Sequence, residues 1–451
     1  MIELSKKTFS SDLTEGLVLK KLIMFAIPMI LATFLQSIYS IVDMIITGRF
    51  CGSSGLSAVS VGGNIMTMIS FVAMGLSIGG NVVIGQFYGA KDEKSRKEST
   101  STTMGFMLLV GIVLAFILCV LAEPIMILMK APSLAEAVIY FRICSIGCIF
   151  IFGFNALCSV IRAVGNSRTP LFIILIAAIT HIGLDIILIV GFGIGVAGAA
   201  IATVISQFMS FFMALLYVLR RSDFFGFTIN SIGIYKDKLI FILKIGIPSA
   251  IVFCINGFTH LFNTSLVNSY GVAVSAGCGS ALRISDLCIG FLTAMMNASS
   301  TMSAQCIGAG KFNRVKKILH MNILVDIFIS IFLISFMMIG ARLAIGLFNN
   351  EQEVIDAGAF YLRVLAPQAF TYIFFTSLHA IATGAGDAKW VMWNSILGMA
   401  VPRIVFSIIF NHYIGLGGIA LSCVLAPLCA IPVALYYYKT NRWKHNLEMT
   451  K

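Results

Sequence analysis

The feature that most constrains this chain is an internal repeat of its hydrophobic pattern. The first copy begins at Ile27-Pro28, runs through two long apolar segments joined by a glycine-containing turn, and ends at Gly85-Gln-Phe-Tyr-Gly-Ala-Lys91. The same order starts again at Ile247-Pro248, 220 residues after the first proline, and ends at Ala304-Gln-Cys-Ile-Gly-Ala-Gly-Lys311. Doubled sets of membrane helices are how many secondary transporters are built. The repeat therefore predicts two related helical bundles that move against each other.

The composition predicts that these bundles lie in a membrane. The chain is 59% hydrophobic and only 11% charged, whereas soluble domains have about 25% charged residues. Apolar stretches of about 20 residues are long enough to cross a bilayer, and lipid-exposed backbone requires them to be helices. We identify twelve such stretches, at 22–47, 57–87, 101–122, 138–161, 169–191, 197–219, 239–268, 277–305, 318–345, 357–383, 390–411 and 417–438.

The predicted fold class is thus an all-α membrane protein with twelve transmembrane helices in two six-helix lobes. The repeat places the N-terminal lobe at 1–220 and the C-terminal lobe at 239–451, with a cytoplasmic linker at 221–238. We find no cleaved signal segment at the N-terminus.

The basic excess, a net charge of +12, indicates orientation. Loops that alternate onto one side of the twelve spans carry 24 of the 31 Lys and Arg residues, and the opposite side carries five. The positive-inside rule then predicts a multi-pass protein of the cytoplasmic membrane with both termini in the cytoplasm. The positive charge is explained by the topology and by contact with lipid headgroups, so we expect membrane lipids as partners and no nucleic acid. We also expect the protein to be a monomer.

The sequence contains no pattern typical of an enzyme. The eleven cysteines form no CxxC pair, and we find no metal-ligand cluster, nucleophile elbow or phosphate-binding glycine loop. No repeated glycine signature indicates a channel filter. We therefore expect neither catalysis nor a bound cofactor.

Ionisable residues inside membrane spans are costly and indicate function. Asp43 in the first span and Asp185 in the fifth lie at similar depth, and His181 lies one helical turn before Asp185. The second lobe has Asn263 and Phe406 at the places that match the two carboxylates. If the carboxylates served packing alone, both lobes would be expected to contain them. Their presence in the first lobe only therefore favours a functional carboxylate pair over a structural one.

Further polar residues accompany the carboxylates. Thr203 and Gln207 follow on the sixth span, and Gln36 and Tyr39 share a stripe of the first span with Asp43. Burial and mutual repulsion favour the neutral forms of two neighbouring carboxylates. Such a cluster can take up a proton, or a Na⁺ held by Asp43, Asp185 and Thr203, and the residues alone leave both open.

The chain resembles the multidrug and toxic compound extrusion (MATE) family over roughly 17–440. The resemblance is carried by a set of short motifs in the expected order: Gln36-Ser-Ile-Tyr-Ser-Ile-Val-Asp43, Gly48-Arg-Phe50, Gly85-Gln-Phe-Tyr-Gly-Ala90, Arg162-Ala-Val-Gly-Asn-Ser-Arg-Thr-Pro170, Leu184-Asp185 and Gly195-Val-Ala-Gly-Ala-Ala-Ile-Ala-Thr203. It implies a V-shaped pair of six-helix lobes and antiport of drugs against a cation.

The resemblance also implies site residues. The family's first-lobe cation site matches Asp43, Asp185 and Thr203, and its usual Asn is His181 here, which favours protons over Na⁺. Asn256 and Tyr372 stand where the NorM-like branch has second-lobe carboxylates, so the chain is more similar to the DinF-like or MepA-like branches. The cation or proton site is thus expected at Asp43, His181, Asp185 and Thr203. The substrate cavity is expected at Gln36, Tyr39, Asn155 and Gln207.

The leading functional hypothesis is export of amphipathic, often cationic, drugs and toxic compounds, driven by H⁺ or Na⁺. The alternative is a flippase for lipids or lipid-linked oligosaccharides, which would need basic residues to hold a pyrophosphate. Arg403 is the obvious candidate for such a residue, or it caps a kink after Pro402. Asp326 has no partner that the sequence identifies.

Overall fold

The structure is a computed structural model that describes residues 11–228 and 232–444, apart from the side chain of Ser53. In these ranges the chain is helical and contains no β-strand. The first half contains helices α1 to α9, in order Val18–Phe50, Gly52–Gly89, Glu93–Val120, Ala122–Leu128, Leu134–Ile146, Cys148–Ala163, Arg168–Asp185, Val196–Leu219 and Ser222–Phe225. The second half contains α10 to α18, in order Lys236–Asn268, Val272–Gly308, Phe312–Ile339, Ala341–Gly346, Gln352–Leu365, Gln368–Gly384, Ala388–Ser395, Val401–Ile414 and Leu416–Lys439.

The predicted fold class is confirmed. Eleven helical segments of the described chain are long and apolar enough to cross a membrane, and the pair α14 and α15, bent by 42°, makes a twelfth. Each coincides with one of the twelve stretches predicted from the sequence. Two spans contain π-helical turns, Ile186–Gly191 after α7 and Ile396–Ala400 between α16 and α17.

The sequence repeat is a repeat of helices. Helices α1 and α10 each have 33 residues and contain Pro28 and Pro248 respectively. Helices α3 and α12 each have 28 residues, and α8 and α18 each have 24. Equal lengths at equal places in the order show that both halves were built on one plan.

The described residues form two compact units. The first unit contains Leu31–Ala250, and the second contains Leu13–Ile30 together with the chain from Ile251 onward. Helix α1 therefore begins in the second unit and continues in the first, and α10 does the reverse. The lobe boundaries expected from the sequence, 1–220 and 239–451, stay a prediction.

Each unit has one helix at the centre of its core. In the first unit this helix is α6, whose Phe152 and Leu157 are fully buried among the other helices. In the second unit it is α15, where almost every side chain is buried. Small residues allow the helices around it to approach closely: a Cβ on Gly277 of α11 would collide with the carbonyl oxygen of Val354 on α14.

Most of the predicted linker, 221–238, lies in the described chain, and residues 229–231 lie outside it. Its described part is tied to α3. Arg96 donates a hydrogen bond to the carbonyl of Phe224 at 2.7 Å. The backbone N–H groups of Gly233 and Tyr235 donate to hydroxyl groups of α3 at 2.9 and 3.1 Å. This part of the linker therefore belongs structurally to the first unit.

Candidate functional site

The structure brings four predicted site residues together in the first unit. Asp43 lies on α1, His181 and Asp185 lie on the last turn of α7, and Thr203 lies on α8. One ligand atom from each of Asp43, His181 and Asp185 lies within 4.8 Å of the other two. Asp185 is fully buried, His181 is 4% exposed and Asp43 is half-buried. The π-helical turn starts immediately after Asp185, and such turns are frequent at functional sites.

His181 connects two of the three helices of this cluster, α7 and α8. Its Nδ1 lies 3.1 Å from Oδ2 of Asp185, four residues later on the same helical face. Its Nε2 lies 3.2 Å from the Thr203 hydroxyl oxygen, which itself donates to the carbonyl of Ala199 at 2.9 Å. The imidazole therefore bridges a carboxylate on α7 and a hydroxyl on α8.

Counting hydrogens at this bridge fixes where the protons lie. Thr203 has one hydroxyl hydrogen, and Ala199 receives it, so Thr203 accepts from His181 and Nε2 carries a proton. Nδ1 then faces Asp185 with either a proton of its own or a proton on the carboxyl group. Without that proton, two lone pairs would face each other at 3.1 Å. A proton on either atom removes this repulsion, so the 3.1 Å approach suits a protonated pair.

The cluster also has unsatisfied acceptors. Asp43 Oδ1 and both carboxylate oxygens of Asp185 are buried without an aligned hydrogen-bond donor among the described residues. The approach of His181 Nδ1 to Asp185 is close but is not aligned as a hydrogen bond. Buried polar oxygens normally have partners. Carboxylate oxygens are also the ligands that hard cations take. The cluster can therefore hold a proton or a small hard cation.

The four residues assigned to a substrate cavity are placed differently from one another. The ring of Tyr39 packs against His181, with centroids 5.6 Å apart. Gln36 is exposed one turn earlier on α1, and Asn155 donates to the carbonyl of Ile151 on its own helix at 2.9 Å. The side-chain oxygen of Gln207 is buried without a partner in the described chain. Only Tyr39 of these four is joined to the cluster by a described contact.

Two residues near the cluster were missed from the sequence. Thr47 lies one turn after Asp43, is fully buried, and its hydroxyl has no described partner. Its spacing of four residues from Asp43 was a signal for a shared face. Tyr140 on α5 is buried within electrostatic reach of Asp43 and Asp185. Only the fold brings Tyr140 there, because no sequence spacing connects α5 to α1.

The matching place in the second unit is fully hydrogen-bonded. Asn263, 220 residues after Asp43, accepts from the Ser407 hydroxyl at 2.9 Å and donates toward the sulfur of Cys423 at 3.3 Å. The hydroxyls of Ser407 and Ser422 lie 2.6 Å apart. Both the oxygen and the nitrogen of the Asn263 amide are thus engaged. The predicted asymmetry between the two halves is present in the packing.

Asp326, which had no identified partner, lies in a separate buried network of the second unit. Its Oδ2 accepts from Asn322 at 2.7 Å and from Ser377 at 3.3 Å. Asn322 also donates to Ser377 at 2.8 Å and accepts from Ser299. The network joins α11, α12 and α15, which gives Asp326 a role in holding this unit together.

Comparison with known proteins agrees with this architecture. The sequence profile of the MatE family matches residues 28–187 and 248–409, which are the two copies of the repeat. The chain is 30% identical to the probable multidrug resistance protein YpnP of Bacillus subtilis, over 96% of this chain and 97% of that protein. It is 26% identical to the multidrug export protein MepA of Staphylococcus saprophyticus, over 93% and 94%. The fold matches the outward-facing structure of a multidrug resistance MATE transporter with a TM-score of 0.90, at 23% identity and 96% and 98% coverage.

Proposed function

The chain belongs to the MatE family of multidrug efflux transporters, and on this premise we propose that it exports amphipathic, often cationic, compounds in exchange for protons. The family consists of transporters, so the prediction that the chain is not an enzyme is confirmed. The names of the relatives favour drug export over the lipid-flippase alternative. The observation that carries the proposal is the buried cluster of Asp43, His181 and Asp185.

His181 supports the proton as the coupling ion. The spacing of 3.1 Å between Nδ1 and Asp185 is favourable while a proton lies between them and repulsive once it leaves. Because both side chains lie on α7, proton release favours rotation of the His181 ring away from Asp185, which also breaks its contact with Thr203 on α8. Na⁺ is the second candidate, because the unpartnered oxygens of Asp43 and Asp185 fit a hard cation.

Export follows from competition for the same negative charge. When the carboxylates are ionised, the first unit attracts a cationic compound, and a proton that neutralises them weakens this attraction. A ligand shifts a conformational equilibrium only through its different affinities for the two states. Substrate and proton must therefore prefer different states, so influx of one drives exit of the other.

The experiment is transport in vesicles that contain the purified chain. A fluorescent lipophilic cation is followed while a pH gradient and a Na⁺ gradient are imposed separately. We expect the pH gradient to drive transport and Asp43→Asn to abolish it. The matched control is Asn263→Ala, which alters the corresponding place in the second unit and should retain transport. Full transport by correctly inserted Asp43→Asn would overturn the proposal, and transport driven by Na⁺ alone would assign coupling to Na⁺.

We further propose that the protein lies in the cytoplasmic membrane with both termini in the cytoplasm. The support is the distribution of basic residues, 24 on one side of the spans and five on the other. Single cysteines in a cysteine-free background, at Lys94 and Lys130, should be labelled by an impermeant reagent from opposite sides. Labelling of both from outside intact cells would contradict this orientation.

A further inference from the structure

Arg403 is a buried charge in the second unit that the coupling cluster does not use. It lies in the first turn of α17, shortly after the π-helical turn Ile396–Ala400, and its side chain is only 8% exposed. A guanidinium group stays charged at any physiological pH. Unlike a buried carboxyl group, it cannot become neutral to escape the cost of burial. Its position therefore calls for a negative partner.

The described residues 11–228 and 232–444 supply no such partner. No carboxylate oxygen in them lies within 4 Å of the Arg403 guanidinium, and its Nε is buried without a hydrogen bond. The carboxylates inside α11 and α12 are engaged elsewhere. Asp286 lies 3.3 Å from Nε2 of His260, and Asp326 accepts from Asn322. Asp286 is still within electrostatic reach of Tyr361 and Tyr372, but no described carboxylate forms an ion pair with Arg403.

The neighbours of the guanidinium are neutral donors. It lies against the thiol of Cys423 and within electrostatic reach of Tyr361 and Tyr372. The hydroxyl of Tyr361 is buried and has no described hydrogen-bond partner, and that of Tyr372 contacts the sulfur of Met399, at 4.0 Å, and the side chain of Gln368. Arg403 therefore has a neutral hydrogen-bond partner in Cys423, while its Nε and the nearby Tyr361 hydroxyl are buried without a described partner.

A structural role as a kink cap does not account for this arrangement. Pro402 and the π-helical turn free backbone carbonyls that a guanidinium is able to satisfy. In the described chain, however, the guanidinium donates to no backbone carbonyl. The kink-cap alternative is thus unsupported, and the ligand alternative gains support.

We infer that Arg403 and Tyr361 form a subsite in the second unit that binds the anionic group, a carboxylate, sulfonate or phosphate, of an amphipathic compound. A guanidinium matches such a group with paired, charge-assisted hydrogen bonds. The aromatic ring of Tyr372 and the neighbouring apolar side chains suit the rest of an amphipathic molecule. The physiological meaning of this subsite rests on the proposed export function, whereas anion binding itself does not.

The test uses two dyes that differ in one charge, a rhodamine with a free carboxylate and its methyl ester. Binding of each to the full chain in phosphatidylcholine nanodiscs is measured by fluorescence anisotropy, with no ion gradient. We expect Arg403→Gln to weaken binding of the acid about tenfold or more and to leave the ester unchanged, because a charge-assisted hydrogen bond is lost. Arg403→Lys should retain part of the acid binding, since it keeps the charge without the planar fork.

Tyr361→Phe gives a second variant that preserves shape and should weaken the acid selectively by a smaller factor. Size-exclusion and thermal-unfolding profiles check that each variant is folded. If Arg403→Gln does not fold, the affinities of Arg403→Lys and Tyr361→Phe for the acid and the ester test the inference instead. Equal affinities for the acid in all folded variants, or equal losses for acid and ester, would overturn the inference.

A further arm separates a soluble anion from a lipid headgroup. Phosphatidylglycerol is added to the nanodiscs, and its competition with the acid dye is compared between wild type and Arg403→Gln. Competition that depends on Arg403 assigns the subsite to a lipid phosphate, and acid binding without competition assigns it to soluble anions. Both results support the subsite. Because no gradient is present, failure of proton-driven export would leave this measurement intact.

Discussion

The buried polar cluster of the first unit contains Asp43 and Thr203, and Tyr140 lies beside it. The matching residues of the second unit, 220 or 221 positions later, are Asn263, Cys423 and Tyr361. The first set includes Asp43, whose Oδ1 lacks a donor, and the second set lies beside Arg403, whose Nε lacks an acceptor. Two copies of one helical plan thus carry a negative group in one unit and a positive group in the other, although Arg403 does not replace either carboxylate.

This difference shows how two repeats with the same helical plan can bind different ligands. Helices α1 and α10 have equal lengths, as do α8 and α18, and each unit has one buried central helix, because these features decide packing. At two polar positions the exchange keeps the size of the side chain, since Asn263 replaces Asp43 and Cys423 replaces Thr203, whereas Phe406 at the place of Asp185 removes the polar group altogether. The units therefore share their architecture and differ in the ligand charge that each can attract.

The largest effect should come from removing the fully buried carboxylate of the first unit. We expect Asp185→Asn to reduce pH-driven export to below about 1% of wild type, because the proton that links Asp185 to His181 loses its acceptor. The matched variant is Asp326→Asn, an equally buried carboxylate of the second unit that is held by Asn322 and Ser377. Export by this variant should stay within about threefold of wild type, with a lower unfolding temperature. Equal losses of export in both variants, at equal expression, would remove the distinction between the units.

The next effect should come from making the second unit resemble the first. In Asn263→Asp, the new carboxylate lies near Cys423 and offers Arg403 an internal partner. We expect it to compete with the acidic rhodamine and to weaken its binding about tenfold, with the ester unaffected. Asn263→Ser is the control without a charge. Unchanged binding of the acid by Asn263→Asp would show that a carboxylate at position 263 does not interact with Arg403.

A smaller effect is expected at the bridge between α7 and α8. His181→Asn removes the group that shares a proton with Asp185 and supplies an amide oxygen for a cation. We expect the pH profile of export to shift and its rate to fall about threefold to tenfold, while Na⁺ becomes stimulatory. The control, Thr203→Ser, keeps the hydroxyl and should leave the profile unchanged. An identical pH and Na⁺ dependence in His181→Asn would reduce the histidine to a packing residue.

The smallest effect concerns how corresponding helices begin. Helix α3 is capped by Asp92, which accepts from the backbone N–H of Ser95 at 3.0 Å, whereas α12 begins after Lys311 without a side-chain cap. Asp92→Ala should cost about 1 kcal/mol of stability, and Lys311→Ala should have no capping effect.

The hydrogen bond from Ser95 lowers the pKa of Asp92 below its ordinary value. The stabilisation by the ionised carboxylate is therefore complete above the unfolded-state pKa of about 4 and is lost as pH falls through the lower native value. Thermal unfolding in detergent at neutral and acidic pH checks this. An Asp92→Ala deficit that is equally large below pH 3 would contradict capping by the ionised form.

Much of the fold was predictable because the membrane leaves few options. Apolar stretches of sufficient length must be helices there, and the internal repeat identifies the pairs that correspond. Asp43, His181, Asp185 and Thr203 were predictable as a cluster, since a costly charge at matching depth needs a reason and helical spacing places His181 beside Asp185.

The remaining features depend on contacts that no sequence spacing reveals. Tyr140 lies near Asp43, and Tyr361 near Arg403, only because separate helices pack together. Asp326 had no apparent partner, although Asn322 lies four residues before it, because its other partner, Ser377, comes from a distant helix.

The position of the start of α1 determines when one core of the protein can assemble. Leu13, Leu22 and Phe25 lie in a core of the second unit that also contains Ile318 and Trp443. Ribosomes deliver residues 13–25 long before Ile318 and Trp443. This early segment must therefore wait in the membrane until both later residues have been inserted. Assembly of this core is thus a late event in biogenesis, and until then only the part of α1 that belongs to the first unit can pack.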